Sequence, residues 1–409
     1  MEHGANITNE DTDGWTPLFN ACFNGHITLV KYLVELGANV NKEANDGWTP
    51  LFCACQEGHI STVKYLVELG ANINKKRNDG STPLFYSYVK GHEDIVKYLL
   101  NLGTDINKED NDGETPLFYA CTGGNLNLVK YLVEHGLDIN KESNDGWTPL
   151  FCACREGHIS VVKYLLELGT NINKISNNGE TPLFAACKNG NITVVKYLVE
   201  HGLDIHKEDD DGFTPLFSAC QNSHITVVKY LVEHGADLNK ESIEEYTPLY
   251  CACQEGHITV VKYLVEQGAD MNKEDSNGWN PLFFACQEGH ITVVKYLVEL
   301  GADLNKENNL GGIPLMSACY YGHVATVKYL VEHEANINKE TNNGSPLFYA
   351  CEKGHEDIVK YLVEKGANIH KVNNNGETPL SIANKNGHKN IVTYLNKIIA
   401  SRNEIEEKQ

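Results

Sequence analysis

Two short apolar stretches alternate with polar turns along the chain, and the alternation keeps a fixed period. The first stretch follows a proline and reads Leu-Phe-x-Ala-Cys, as in Leu51-Phe52-Cys53-Ala54-Cys55. The second places Ile27, Leu29, Val30, Leu33 and Val34 at spacings that include three, four and seven, the pattern of one helix face. Gly25-His26 separates the two stretches, and Gly37 closes the second. A turn-rich run follows, Ala38-Asn39-Val40-Asn41-Lys42-Glu43-Ala44-Asn45-Asp46-Gly47. Each period therefore predicts two helices and a projecting loop, with Gly37 as a left-handed C-terminal residue. Thr precedes the proline in nine of twelve copies. Thr suits an N-cap, and Pro suits the first helical position because its missing N–H would be unpaired there.

The prolines give the period directly. They fall at 17, 50, 83, 116, 149, 182, 215, 248, 281 and 314, then at 346 and 379, and every proline occupies this one slot. Neither helix can bury its apolar face alone, so a repeat of this length predicts a stack in which neighbours complete each other. The conserved-looking framework of Thr-Pro-Leu, Ala-Cys, Gly-His, Val-Lys-Tyr-Leu-Val-Glu, Gly-Ala-Asp and Ile-Asn resembles the ankyrin repeat over essentially all 409 residues. The resemblance implies an all-α ankyrin-repeat solenoid of helix-turn-helix units with projecting β-hairpin loops. One departure is systematic. The family's His after Thr-Pro-Leu is Phe at 19, 52, 85, 118, 151, 184, 217, 283 and 348, with Tyr250, Met316 and Ser381 as variants. Apolar packing is expected to replace whatever hydrogen bond that His makes.

The expected organisation has three parts: residues 1–10 as the tail of a truncated preceding repeat, 11–394 as twelve repeats forming one continuous array, and 395–409 as a C-terminal capping helix end and charged tail. No Gly-Ala-Asp follows Lys397, so the array is expected to finish there. Repeat eight replaces the loop glycine with Glu245, repeat ten has Ile313 for Thr and Glu334 for the helix-ending Gly, and repeat eleven is one residue short. Weaker stacking, a candidate hinge, is expected around 305–346.

The formal charge of −21, from 55 acidic and 34 basic residues, argues against a nucleic-acid backbone as partner and points to basic proteins or peptides. The N-terminus has no charged-then-apolar leader pattern, and no apolar run approaches the ~20 residues a membrane helix needs. A soluble, cytoplasmic monomer without membrane contact is expected. Ten of the thirteen cysteines share the slot five residues after the proline. Equivalent atoms in stacked repeats lie roughly 10 Å apart, beyond the ~7 Å Cα limit of a disulfide, so these read as small buried residues. Cys53, Cys152 and Cys251 form Cys-x-Cys pairs whose members point to different helix faces, which excludes zinc knuckles. Ten of seventeen histidines sit in the Gly-His slot, one per repeat, and read as hydrogen-bond donors to loop backbone. No nucleophile–base set or phosphate loop interrupts the pattern. No cofactor, no metal and no enzymatic activity are expected.

Binding positions should be the ones that differ between repeats. The Tyr of Lys-Tyr-Leu-Val recurs in all twelve and reads as packing. The slot two before the proline varies and contains every tryptophan: Trp15, Trp48, Trp147 and Trp279, with Phe213 and Tyr246 among the rest. Aromatic residues are favoured interface anchors. The pair before Gly-His varies as well, notably Gln56-Glu57, Arg155-Glu156, Gln254-Glu255, Gln287-Glu288 and Tyr320-Tyr321. By the family resemblance, both slots face the groove. Asp13, Asp46, Asp79, Asp112, Asp145 and Asp211 add negative charge beside it. The reading is a non-enzymatic protein-protein interaction scaffold holding a protein or extended peptide in that groove, with Trp48, Trp147 and Trp279 replaceable by Ala at little cost in thermal stability. Two alternatives stand beside it: a structural, elastic spacer or fragment of a larger array, and a substrate of an asparagine hydroxylase at Asn107, Asn140, Asn173 or Asn239.

Overall fold

A computed structural model describes residues 6–406, with side chains to residue 401. The expected tail at 1–5 and the last charged residues, 407–409, lie outside the described residues. The chain divides into two compact units, residues 1–210 with repeats one to six and 211–409 with repeats seven to twelve. The described residues form twenty-four helices, two per repeat and no sheet, from Pro17–Phe23 and Ile27–Glu35 to Pro379–Lys385 and Lys389–Glu406. No helix among the described residues is long and apolar enough to cross a membrane.

Within each unit the first helices pack side by side, Pro50–Gln56 between Pro17–Phe23 and Pro83–Lys90 for example, and the second helices form a looser row. Their shared core is the repeated apolar set, with Leu51, Phe52, Cys55, Val63 and Leu66 fully buried in repeat two. Every cysteine is a free, buried thiol. Burial alone pushes Cys22 up to about 12, so none of the row is poised as a nucleophile on this account.

Helix starts follow the sequence with one difference. Thr49 takes the extended N-cap conformation before Pro50, but its hydroxyl caps nothing. The carbonyl of Thr49 accepts the Phe52 N–H at 3.0 Å instead, a tight first turn that satisfies the donor the hydroxyl was expected to serve. Only Thr247, Asn280, Ser345 and Thr378 among the described residues of this slot cap through the side chain. Helix ends match: Gly37 has φ +97° and its N–H reaches the Val34 carbonyl at 2.8 Å while Ala38 N–H reaches Leu33, the left-handed closure.

The loops join their neighbours one bond at a time. Asn45 N–H donates to the Asp13 carbonyl at 3.0 Å, and Asn144 N–H to Asp112 at 2.8 Å. No strand ladder results, because each loop turns back within a few residues; the sole bridge among described residues is Thr341 with Gly344. A second ladder runs along the loops as ion pairs: Lys42–Glu10 at 2.8 Å, Lys75–Glu43 at 2.6 Å and Lys141–Glu109 at 2.9 Å in the first unit, and Lys273–Glu241 through Lys371–Glu340 in the second.

The recurring Tyr packs between repeats. Lys31 Nζ stands 5.4 Å over the Tyr65 ring, Lys64 5.5 Å over Tyr98, and the relation repeats to Lys328 over Tyr361. The histidines of the Gly-His slot also link repeats. Nε2 of His59 is 3.0 Å from the Phe23 carbonyl, His92 is 2.9 Å from Gln56, and His290 is 2.8 Å from Gln254.

Stacking continues through the irregular stretch at 305–346. The first helix of repeat ten, Pro314–Tyr321, packs against Pro281–Gln287 on one side and Pro346–Lys353 on the other. Glu334 adopts φ +71° and ends its helix in place of glycine. The ion pairs Lys339–Glu307 and Lys371–Glu340 span the expected weak joint.

Candidate partner-binding face

Where the slot two residues before the proline is aromatic, its ring lies against the ring of the residue two after the proline. In the first unit Trp15 stacks on Phe19 at 5.5 Å, Trp48 lies 5.7 Å from Phe52, and Trp147 lies 5.3 Å from Phe151. Trp15 and Trp48 are also 6.1 Å apart, and Trp48 meets Tyr86, so repeats one to three form a continuous aromatic row. The Phe that stands where the family has His is thus the buried floor of the row. In the second unit Phe213 rests on Phe217 at 4.9 Å, Tyr246 on Tyr250 at 4.1 Å and Trp279 on Phe283 at 5.5 Å. Buried Phe217, Tyr250, Cys251, Phe283 and Phe284 form one cluster against which Phe213, Tyr246 and Trp279 pack half-buried.

A third variable slot, three after the proline, completes this face and was not singled out from sequence. Tyr86 meets Trp48 at 5.1 Å, Tyr119 meets Phe85 at 4.7 Å, and Phe284 meets Trp279 at 5.2 Å and Tyr250 at 3.8 Å. Its signal is present in the x of Leu-Phe-x-Ala-Cys, which is aromatic in some repeats and Cys, Ser or Ala in others.

Cations cover part of the row from within. The Arg77 guanidinium stands 5.4 Å over Trp48 and 5.6 Å over Tyr86, bonds the Tyr86 hydroxyl, and pairs with Asp79 at 2.9 Å and Asp46 at 3.4 Å. Arg155 stands 5.3 Å over Trp147 and donates to Glu156 at 2.8 Å. Lys353 Nζ stands 4.2 Å over Tyr320. These contacts show what the rings accept: a cation on the face, with carboxylates beside it.

The pairs before Gly-His divide between two tasks. The backbone carbonyls of Gln56, Gln254 and Gln287 hold the histidine of the next repeat. The side chains point outward: Gln56, Glu57, Gln254 and Gln287 are half-buried, and Glu156, Glu255 and Glu288 are exposed. Gln287 donates to Glu288 at 2.9 Å. Tyr320 and Tyr321 meet edge to face at 5.0 Å and stand at a cavity of about 250 Å³ beside Gly312. The predicted site residues thus gather on the face made by loops and first helices, in each unit by itself. The aromatic ones are packed as well as half-exposed, so their replacement by Ala is now expected to cost stability, where the sequence reading expects little cost.

Glu114 occupies the aromatic slot in repeat four. Burial and the neighbouring Asp110 push its carboxyl up to about 7, while Arg155 pulls the other way. Tyr119 donates its hydroxyl to Asp110 at 2.5 Å. Among the described residues no group of three His, Cys, Asp or Glu could hold a metal ion.

The family model described as "Ankyrin repeats (3 copies)" matches residues 1–77, 42–110, 102–176, 168–242, 239–308 and 301–373. The crystal structure of the human ASB11 ankyrin repeat domain is similar at a TM-score of 0.50 and 27% sequence identity, covering 53% of this chain and 98% of that one. No curated protein matches the chain.

Proposed function

The chain belongs to the ankyrin-repeat family, whose repeats generally serve as protein-interaction modules, and from that premise we propose that it is a non-catalytic scaffold for a protein or extended peptide. The partner lies against the loop and first-helix face. One observation carries this reading: the positions that vary between repeats bring half-exposed rings together over a buried aromatic floor, in both units. Invariant positions, such as Leu51 and Leu66, are spent on the core. Half-exposed aromatic groups held rigidly are the usual energetic centres of an interface. The surrounding carboxylates and the −21 net charge favour a basic partner, and the chain's own Arg77 and Arg155 over Trp48 and Trp147 support a reading in which a partner's Arg or Lys stacks on a free ring of the row in the same way.

The test uses Trp48→Phe, Trp147→Phe and Trp279→Phe together, which keeps a ring on each floor while reducing the exposed surface. Affinity capture from native lysate, wild type against the triple variant, should lose its specific partner at least tenfold, with thermal unfolding shifted by no more than about 5 °C. Capture should also weaken between 0.1 and 0.5 M salt, on the order expected when the Debye length shortens. Equal capture by both proteins overturns the proposal.

A further inference from the structure

In the second unit the aromatic row stops at repeat nine, and a cavity opens at the next position along it. Phe213, Tyr246 and Trp279 fill the slot two before the proline in repeats seven, eight and nine, each over the residue four positions on. Repeat ten has Gly312 in that slot, and Met316, nearly fully buried, is the floor. A cavity of about 250 Å³ opens there, bounded by Trp279, Phe283, Met316, Tyr320, Tyr321 and Tyr349. The turn glycine of this loop is Gly311, with φ +74°; Gly312 does not have positive φ, so backbone conformation does not require glycine there. The Gly312 N–H is held by the Asn308 side chain at 2.8 Å, as the Trp279 N–H is held by Asp275 at 2.8 Å, so the loop is built alike in both repeats. What repeat ten lacks is the ring alone.

We propose that this seat receives an aromatic side chain, Trp, Tyr or Phe, from a bound peptide, placed over Met316 as Trp279 is placed over Phe283. The inference rests on the scaffold reading and names the anchor and its pocket. The three preceding repeats supply the argument for the occupant, because each fills the equivalent position with a ring and none with an aliphatic chain, while Gly344 and Glu377 follow in repeats eleven and twelve. A cavity of about 150 Å³ lined by apolar groups already takes benzene, so this one is large enough for an indole. The Met316 thioether adapts to ring edges at a favourable distance of about 5 Å. Leu310, 76% exposed at the loop, stands beside the opening where the rest of a peptide would pass.

Methionine makes the test direct, because the chain has three and they report separately: Met1, Met271 and Met316. Full-length protein labelled with 13C at the methionine methyls is titrated with N-acetyl-L-tryptophanamide. The Met316 methyl should move upfield by ring current and saturate, with a dissociation constant on the order of millimolar for a single anchor, while Met271 stays in place. N-acetyl-L-leucinamide at equal concentration should move it less than a third as far. Gly312→Trp should place the Met316 methyl upfield before any addition and abolish the titration. An unmoved Met316 methyl, an equal response to the leucine amide, or continued titration of Gly312→Trp overturns the seat. A Met316 shift that depends on protein concentration without probe also overturns it, by assigning the cavity to a second copy. Failure here with partner capture still sensitive to the triple Trp→Phe variant removes the seat and leaves the scaffold; a normal titration with insensitive capture does the reverse.

Discussion

His59 lies against Gly25 with no room for one methyl group between them: a Cβ on Gly25 would stand 2.5 Å from the imidazole. The same ring reaches past that glycine to the Phe23 carbonyl at 3.0 Å. Gly and His of adjacent repeats therefore form one lock, with the left-handed glycine, φ +67°, making the space that the next repeat's His enters. The arrangement recurs at Gly58 with His92 and at Gly256 with His290. Two neighbouring glycines separate the causes. Gly25→Ala suffers both the strained φ and the collision, and should cost about 3 kcal/mol or more. Gly37→Ala meets nothing within 4 Å and should cost only the conformational part, about 1 kcal/mol. Urea denaturation of the two variants checks the difference; equal losses would mean that the His contact is unimportant.

The lock also predicts which replacement of His is tolerated. Asn125 stands in the slot in repeat four and donates to the Gly91 carbonyl at 3.2 Å, and Asn191 donates to the Arg155 carbonyl at 2.5 Å in repeat six. His59→Asn should therefore retain most of the stability, whereas His59→Ala leaves the Phe23 carbonyl without its donor and a gap above Gly25. A loss of about 1–2 kcal/mol is expected for Ala and less than half of that for Asn, measured by denaturation at pH 7.5.

Helices, their glycine ends and the His-to-backbone bonds were legible in the sequence because each is repeated a dozen times at fixed spacing. The exchange of His for Phe52 was legible as apolar packing for the same reason, but not its role as a floor for Trp48. Tyr86 and Phe284 escaped notice because their slot lies inside a helix and is filled in several other repeats by Cys, Ser or Ala; only the stack shows that it borders a ring of the preceding repeat, Trp48 for Tyr86 and Tyr250 for Phe284. The Thr49 hydroxyl was expected to cap and does not, since its own carbonyl already takes the donor. The empty place at Gly312 could be read as an irregular repeat, not as a cavity, because a cavity depends on which neighbours fail to fill it.

Among the described residues the ladder of loop ion pairs is interrupted at Lys108 and at Lys207, and each gap makes a prediction. Every pairing lysine meets a glutamate of the preceding loop, as Lys141 meets Glu109. The residue that would serve Lys108 is Lys76, and the one that would serve Lys207 is Ile175, 44% exposed. Lys76→Glu should complete the ladder and stabilise by about 0.5–1 kcal/mol, since it also removes a like charge. Ile175→Glu should gain somewhat less. Both gains should shrink in 1 M NaCl, where the Debye length is about 3 Å, and a salt-independent gain would point to helix or loop propensity instead.

Arg77 ties the loop of repeat three to the ring of repeat two, standing between Trp48 and Tyr86 with Asp46 and Asp79 at its rim. Its planar, delocalised cation stacks on both rings while donating to both acids, which a lysine ammonium cannot do. Arg77→Lys should therefore destabilise by about 1–2 kcal/mol although the charge is kept. Arg77→Met keeps the stacking stem but leaves two carboxylates without their partner, and should lose at least as much. If Arg77→Lys melts with wild type, the guanidinium geometry plays no part.

Glu114 gives the first unit a stability that depends on pH in the neutral range. An unfolded Glu titrates near 4.3, on the order of its model-peptide value, and the folded carboxyl is pushed up to about 7. The fold thus favours the protonated form. Below about pH 4 the group is neutral in both states and has no net effect; as pH rises towards 7 the unfolded chain ionises first, and stability falls until the folded carboxyl ionises too. The facing groups are Asp110, Asp112 and Asp145, which raise it, and Arg155, which lowers it. Glu114→Gln removes the titration and should be more stable than wild type at pH 8, by about 1 kcal/mol once partial exposure is allowed for, with the difference smaller at pH 4.5 and gone below about pH 4. Arg155→Met should move the wild-type fall to higher pH, because the counterion that favours the carboxylate is gone. Urea midpoints of the three proteins at pH 4.5, 6 and 8 decide it. A Gln variant equally stabilised at all three values would assign the effect to side-chain polarity, and burial would then not be what holds the Glu114 proton.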